Sequence, residues 1–334
     1  MKITVLSDGG WGTSIAFLLC GNGHDVTMWG PFPEYIAEMK ETRENVRFLK
    51  GHRLPETLKL EESIEKAVAD SEILVLASPS QYMRGCLEQL KPYYSPEKHL
   101  LVDLAKGIEN GTLYRMSEVA EEVLGECRYV ALSGPSHAEE VVKGVPTAVV
   151  AASENQEYAE TVQNAFMNEN FRVYTTDDLV GVELGGSLKN VFAIAAGVID
   201  GMRLGDNPKA ALMTRGIAEL ARLGEALGGR YQTFSGLSGI GDLIVTCTSG
   251  HSRNRHVGEE LGRGEPIKKI LDDMGLVVAE GVKTSKSAFE LAKKVGVPTP
   301  IIDEIYYVLY EGKDPKAALN DLMTRKARTE RDNV

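Results

Sequence analysis

Cysteine is scarce in this chain: four in 334 residues, at Cys20, Cys86, Cys127 and Cys247, with no C-x-x-C pair among them. A disulfide framework or a zinc centre needs clustered thiols, so neither is expected, and each cysteine reads as a small buried hydrophobe. Positive charge is also in deficit. Lys and Arg number 37 against 48 Asp and Glu, a formal net charge of -11, which argues against nucleic acid or an anionic membrane as a partner. An anionic ligand would have to be met by basic residues gathered locally against that field. The first residues, MKITVL, run straight into a strand pattern without a signal-peptide core, and no apolar run approaches the length of a membrane span. The expectation is a cytoplasmic protein with no stable membrane insertion. Repeats and low-complexity tracts are lacking as well. What is present, 43% hydrophobic and 25% charged residues over 334 positions, suits an ordinary globular chain long enough for two domains.

The first half alternates short apolar runs with helical patterns. Residues 3–6, 25–29, 73–77, 100–104, 129–132, 148–151 and 171–174 read as strands, with helical stretches between several of them, for example over 112–124. Continuous apolar strands alternating with helices predict a largely parallel sheet covered on both faces. Beyond about residue 178 nearly everything reads as helix: 182–199, 213–227, 254–261, 284–295 and 301–310. The expected division is an α/β domain over 1–178 and an all-helical domain over 179–334.

The first strand runs into Ser7, Asp8, Gly9, Gly10, Trp11 and Gly12, and then a helix. A dinucleotide fingerprint needs G-x-G-x-x-G here: one glycine for the tight turn, one for close approach of the pyrophosphate, one for helix–strand packing. Gly9 and Gly12 supply the second and third, while Ser7 stands in place of the first. The pyrophosphate would still meet free N–H groups at the helix start. The other reading is a plain tight turn, but its place after the first strand of a doubly wound pattern favours a nucleotide. The second strand ends in Trp29, Gly30, Pro31 and Phe32, so neither an acid for NAD nor an arginine for NADP marks the cofactor.

Two basic features break local rules. Lys189 lies in a helix that is apolar around most of its circumference, where a lysine must reach solvent, pair with an acid or face an internal cleft. Burial lowers a lysine's pKa and makes it fit for proton transfer near neutral pH. Then His251, Ser252, Arg253, Asn254, Arg255 and His256 open a helix. Ser252 suits the N-cap, but cations there oppose the helix dipole, and a bound anion would reverse that cost. A solvated basic turn is the alternative; the acidic chain as a whole favours a phosphate site. Ala105, Lys106 and Gly107 follow one strand, and Ser133, Gly134, Pro135, Ser136, His137 and Ala138 follow the next, at the carboxyl edge where sheet ligands bind. Asp242, an acid among apolar neighbours, would orient Lys189, hold a substrate hydroxyl or cap a helix.

Together these residues resemble the soluble NAD(P)-dependent glycerol-3-phosphate dehydrogenases of bacteria, over essentially the whole chain. Seven pieces carry the likeness in order: GGWGT from Gly9, AKG from Ala105, SGPS from Ser133, LGG from Leu184 through Lys189, Asn190 and Val191, GIGDL from Gly239, SRNR from Ser252, and Glu280 with Gly281. The resemblance implies a Rossmann domain with a doubly wound, mostly parallel sheet. It is followed by an all-α C-terminal domain of the 6-phosphogluconate dehydrogenase type. It implies reversible hydride transfer between NAD(P)H and dihydroxyacetone phosphate, giving sn-glycerol 3-phosphate for glycerophospholipid synthesis. Lys189 is then the catalytic proton donor and acceptor, able to supply both charge and proton without a metal. Substrate contacts would come from Lys106, Gly134, Ser136, Lys189, Asp242, Ser252, Arg253 and Asn254. Contacts to NAD or NADP would come from Gly10, Trp11, Lys106, Ala138, Arg253, Val278 and Glu280. The expected partners are the small phosphorylated substrate and a second copy of the chain in a homodimer. Three departures stand out: Ser7 for the usual first glycine, His137 where Phe is usual, and Pro31 where the family often has Arg or His for the NADP phosphate. The alternatives are another 3-hydroxy-acid-type dehydrogenase of the same architecture and a non-catalytic NAD(P)-sensing protein. The compact basic segment 252–255 speaks against the first, and Lys189 with Asp242 against the second.

Overall fold

A computed structural model describes residues 1–276, 278–327 and 329–330. Its internal contacts divide the chain into one unit made of Met1–Ala105 and Tyr114–Leu179, and a second made of Lys106–Leu113 and the chain from Val180 onward.

The first unit is built on strands β1 (Lys2–Leu6), β2 (Asp25–Trp29), β3 (Lys59–Glu61), β4 (Ile73–Leu76), β5 (Leu100–Asp103), β6 (Arg128–Ser133), β7 (Thr147–Ala152) and β8 (Phe171–Thr176). They form one sheet in the order β3-β2-β1-β4-β5-β6-β7-β8. Every neighbouring pair is parallel except β6 with β7. All residues of β4 and β5 are buried, as strands covered on both faces must be. The strand order reverses between β1 and β4, and a reversal of this kind opens the crevice in which such sheets bind ligands. The glycine turn leaves β1 at that point and leads into helix α1 (Gly10–Gly21). The expected helix over 112–124 begins only at Met116. Gly111 and Leu113 both have positive φ, which a right-handed helix cannot accept.

The second unit is helical. Its centre is α2 (Leu179–Gly201), buried at every position from Gly181 to Ile199. At 23 residues and mean hydropathy 1.4 it is long and apolar enough to cross a membrane, which corrects the expectation that no apolar run approaches that length. Around it lie α3 (Asp206–Ala226), α4 (Asp242–Thr248), α5 (Arg253–Gly262) and α6 (Glu280–Val295). Helices α2 and α5 meet backbone to backbone. A Cβ built on Gly197 would fall on the carbonyl of Arg255, one on Gly201 on that of Glu259, one on Gly258 on that of Ile194, and one on Gly262 on that of Val198. Two glycines four residues apart on each helix allow this approach, and no larger side chain would.

Cys86 and Cys247 are buried, as expected of all four cysteines, while Cys20 and Cys127 are half-buried. Burial pushes the Cys86 and Cys127 thiols up to about 11 and Cys247 up to about 12, so all three stay as inert thiols at neutral pH.

Candidate active site

In the first unit the turn after β1 is stitched from within. Ser7, in the place of the first fingerprint glycine, uses its hydroxyl to accept the N–H of Gly9 at 3.0 Å. A Cβ on Gly10 would lie 2.6 Å from the carbonyl oxygen of Phe48, so only glycine fits the first position of α1. The opening N–H groups of that helix have no carbonyl within the helix to bond. The indole Nε1 of Trp11 is buried without a hydrogen-bond partner. The free N–H groups of this helix start, beside the orphaned indole donor, fit a pyrophosphate-bearing cofactor. Ser14 donates to the carbonyl of Ala138 at 2.8 Å, which ties the loop after β6 to the same helix. In that loop Gly134 has φ of +143° and its built Cβ would stand 2.9 Å from the Cα of Val149. The hydroxyl of Ser136 folds back onto the carbonyl of Gly134 at 2.8 Å.

The second unit holds the charged cluster. Lys189 is only 5% exposed. Its ammonium donates to Oδ1 of Asp242 and to the hydroxyl of Thr246 at 2.8 Å. The other oxygen of Asp242 takes the ammonium of Lys106 at 2.7 Å. Asp242 opens α4 and Thr246 lies one turn on, a spacing that puts both on one helix face. The turn before it, Leu237–Gly241, is π-helical, a rare form of helix that is frequent at functional sites. It comes close to α2 because Gly185, one turn before Lys189, has no side chain: a Cβ there would lie 2.8 Å from the carbonyl oxygen of Ser238.

The electrostatics follow from one buried carboxylate shared by two lysines. Burial drives Lys189 down; Asp242 opposes the shift and the charge of Lys106 adds to it, leaving the ammonium at about 7. Burial alone would raise Asp242, but Lys106 and Lys189 outweigh it and hold the carboxyl below its ordinary value. Around neutral pH, Asp242 is the fixed anion and Lys189 the group that gains and loses a proton.

A chain of amides frames the cluster. The side-chain NH2 of Asn190 donates to the carbonyl of Lys106 at 3.0 Å. The NH2 of Asn254 donates to Asn190 Oδ1 at 2.9 Å, and the N–H of Gly281 donates to Asn254 Oδ1 at 2.9 Å. Four segments distant in sequence are fixed together in this way, each beside a residue expected at the site. Ser252 caps α5 by accepting the N–H of Arg255 at 3.2 Å. Arg253 is exposed at the first position of the helix. Arg255 is instead committed to Asp200 at 2.7 Å, so of the two arginines in that turn only Arg253 is turned to solvent. Glu280 opens α6, and Val278 lies just before it, half-buried.

The expected site residues therefore fall into two groups. Gly10, Trp11, Gly134, Ser136 and Ala138 belong to the first unit; Lys106, Lys189, Asp242, Ser252, Arg253, Asn254, Val278 and Glu280 belong to the second. Direct bonds join Lys106, Asp242 and Lys189. Thr246 and the bridging role of Asn190 were not anticipated. The signals were present: a threonine four residues after the odd aspartate, and an asparagine beside the odd lysine in an apolar helix.

Comparison with known proteins agrees along the length of the chain. The family model described as NAD-dependent glycerol-3-phosphate dehydrogenase N-terminus matches residues 2–159, and the corresponding C-terminus matches 178–320. The glycerol-3-phosphate dehydrogenase [NAD(P)+] of Bacillus cytotoxicus is 50% identical over 327 residues, covering 97% of this chain and 95% of that protein. That of Pelodictyon phaeoclathratiforme is also 50% identical, over 99% of this chain and all of that protein. The crystal structure of glycerol-3-phosphate dehydrogenase from Coxiella burnetii superposes with a TM-score of 0.93 at 35% identity, covering 97% of this chain and 99% of that one.

Proposed function

This chain belongs to the NAD-dependent glycerol-3-phosphate dehydrogenase family, and from that premise we propose how its residues perform the reaction. It is an NAD(P)-dependent oxidoreductase that interconverts dihydroxyacetone phosphate and sn-glycerol 3-phosphate. We assign the cofactor domain to 1–178 and the substrate domain to 179–334; by internal contacts Lys106–Leu113 groups with the helical unit and Leu179 with the sheet unit. We place the enzyme in the cytoplasm, without stable membrane insertion, because its chemistry draws on free nucleotide and a phosphorylated triose.

The cradle of Gly10 and Trp11, with Ala138 nearby, holds the pyrophosphate side of the cofactor; Lys106, Arg253, Val278 and Glu280 are its further contacts. When bound, the nicotinamide supplies the hydride for reduction and accepts it in oxidation. The rest is the work of the protein. Lys189 donates its proton to the substrate oxygen as the carbonyl is reduced, and takes it back in the reverse direction. Asp242 holds the ammonium of Lys189 in place and stays ionised while Lys189 changes charge. Lys106 contributes a second positive charge toward the developing alkoxide. Ser252, Arg253 and Asn254, at the start of α5, grip the substrate phosphate with N–H groups and a guanidinium. Gly134 and Ser136 complete the substrate contacts. The observation that carries this reading is Lys189 itself, buried, paired with Asp242 and tuned to about 7.

The direct test follows NADH and NADPH oxidation with dihydroxyacetone phosphate. Reduction is expected with the phosphorylated triose and hardly any with dihydroxyacetone. Comparable kcat/KM for the two would remove the phosphate anchor from the reading. Arg253→Ala should raise KM for dihydroxyacetone phosphate and lower kcat as well, each by about tenfold, since the guanidinium grips the phosphate in ground and transition states alike. Unchanged KM would take Arg253 out of the phosphate site.

Asp242→Asn gives a finer check. Asp242 raises the pKa of Lys189 against burial and Lys106. Without its charge the ammonium is left with the two lowering influences and falls below about 7. Reduction needs the protonated lysine, so the decline of kcat with rising pH should begin at a lower pH in the variant. A limb that stays in place would mean another group gives the proton.

A further inference from the structure

We propose that Asp8 binds the ribose hydroxyls of the cofactor's adenosine and so makes the enzyme favour NADH over NADPH. The inference rests on the glycine turn being the pyrophosphate site. In dinucleotide folds the ribose is held by an acid at the end of the second strand. Here that strand offers no acid. β2 ends at Trp29, in register with Leu6 at the end of β1, and the residue after it is Gly30.

The place a side chain would take at residue 30 is already filled. A Cβ built on Gly30 would lie 2.7 Å from both Cγ and Oδ2 of Asp8, and 2.8 Å from its Cβ. The carboxyl of Asp8 thus stands where the missing acid would begin, supplied from the neighbouring turn. A side chain at residue 30 and a carboxyl at residue 8 exclude each other, which accounts for a glycine at the strand end.

The carboxyl is held and its bonding is incomplete. Asp8 is 5% exposed, and its Oδ2 is buried with no hydrogen-bond partner. Burial pushes the carboxyl above its ordinary value; a hydrogen bond from its own backbone N–H and the charge of Arg47 oppose the rise, and Glu34 adds to it. Arg47 is engaged elsewhere: its guanidinium lies 3.8 Å from the ring centre of Tyr35 and pairs with Glu38 at 3.2 Å. The backbone of Asp8 is pinned by Asn45, whose NH2 donates to its carbonyl at 2.7 Å and to the Thr13 hydroxyl at 2.7 Å. A buried carboxylate oxygen lacking a donor is costly, and a ribose diol offers O–H donors that relieve the cost. A 2′-phosphate brings no such donor and carries negative charge toward a negative group.

Equilibrium titration of NADH and NADPH, followed by nucleotide fluorescence, tests this on the wild type, Asp8→Ala, Asp8→Asn and the pair Asp8→Gly with Gly30→Asp, in which the loss of the residue 8 Cβ makes room for the new side chain. The wild type should bind NADH at least about tenfold tighter than NADPH. Asp8→Ala should lose about tenfold for NADH with no matching loss for NADPH. Asp8→Asn, which keeps the shape, should relax the rejection of NADPH. Returning the acid to the strand end in the double variant should restore the preference for NADH. An equal loss for both nucleotides in Asp8→Ala and Asp8→Asn, or an unchanged ratio, would overturn the role of Asp8 alone. A wild type that binds neither nucleotide would overturn the glycine turn as the cofactor site, and this proposal with it.

Discussion

Replacing Lys189 by alanine lowers kcat for dihydroxyacetone phosphate reduction by at least about 10²-fold and leaves NADH binding near that of the wild type. The lysine sits in the middle of a helix that is otherwise buried and apolar, and its partners are one carboxylate and one hydroxyl. Alanine removes both the proton source and a positive charge facing the alkoxide. Lys189 is not among the proposed cofactor contacts, so nucleotide binding should be spared. The pH dependence is a second signature. With Lys189 at about 7, reduction requires the charged form and should decline as pH rises through that value. Oxidation of glycerol 3-phosphate requires the neutral form and should rise over the same range. The alanine variant should lose both limbs. Circular dichroism establishes that it is folded, and a folded variant with near-normal kcat would move the proton donor to Lys106.

Gly258→Ala should be among the most damaging single-methyl substitutions in the chain. The added carbon would fall on the carbonyl of Ile194. That carbonyl is backbone in a buried helix and has no rotamer to change, so α2 and α5 must part. Overpacking typically costs about 1–3 kcal/mol, and this site, where backbone must give way, belongs at about 3 kcal/mol or beyond. Any movement of α5 also carries Ser252 and Arg253 with it, so KM for the phosphorylated substrate should rise in whatever protein remains folded. Gly85→Ala is the control: it lies in the helix Met83–Leu90, with nothing within 4 Å of the added carbon. Alanine there should gain up to about 1 kcal/mol from helix propensity alone. Urea midpoints for the two variants, read against the wild type, decide the matter. Equal midpoints would mean the helices are not in backbone contact.

The reach of sequence reading can be judged from particular elements. Strands such as β4 and β5, buried on both faces, show as unbroken apolar runs. β3 does not: it is three residues, Lys59, Leu60 and Glu61, at the sheet edge, too short and too charged for periodicity to register. The antiparallel direction of β7 is likewise silent, since alternation of side chains is the same whichever way a strand runs. Lys189 and Asp242 stood out because each violates its surroundings, an ion where apolar residues are the rule. Lys106 showed only as a loop residue after a strand, because nothing local reveals that 106–113 packs with the helical unit. The Gly197, Gly201, Gly258 and Gly262 contact was missed for a related reason. A glycine marks a close approach without naming its partner. Asp8 carries no sequence signal of its own, because the ribose acid of such folds belongs on β2, and a turn that presents one to the same place shows only in three dimensions.

The amide chain from Lys106 through Asn190 and Asn254 to Gly281 has a further consequence for how the enzyme tolerates its own turnover. On the proposed mechanism Lys189 changes its charge in every catalytic cycle, and in a buried site such a change disturbs whatever ionic contacts surround it. Carboxamides and peptide groups neither take up nor release protons anywhere in the range where the protein is folded. The scaffold that spaces the reacting segments is therefore indifferent to the event it surrounds. Frame and charge are kept on separate atoms, and the bonds that space these four segments are the same whether the lysine has just given up its proton or has yet to do so.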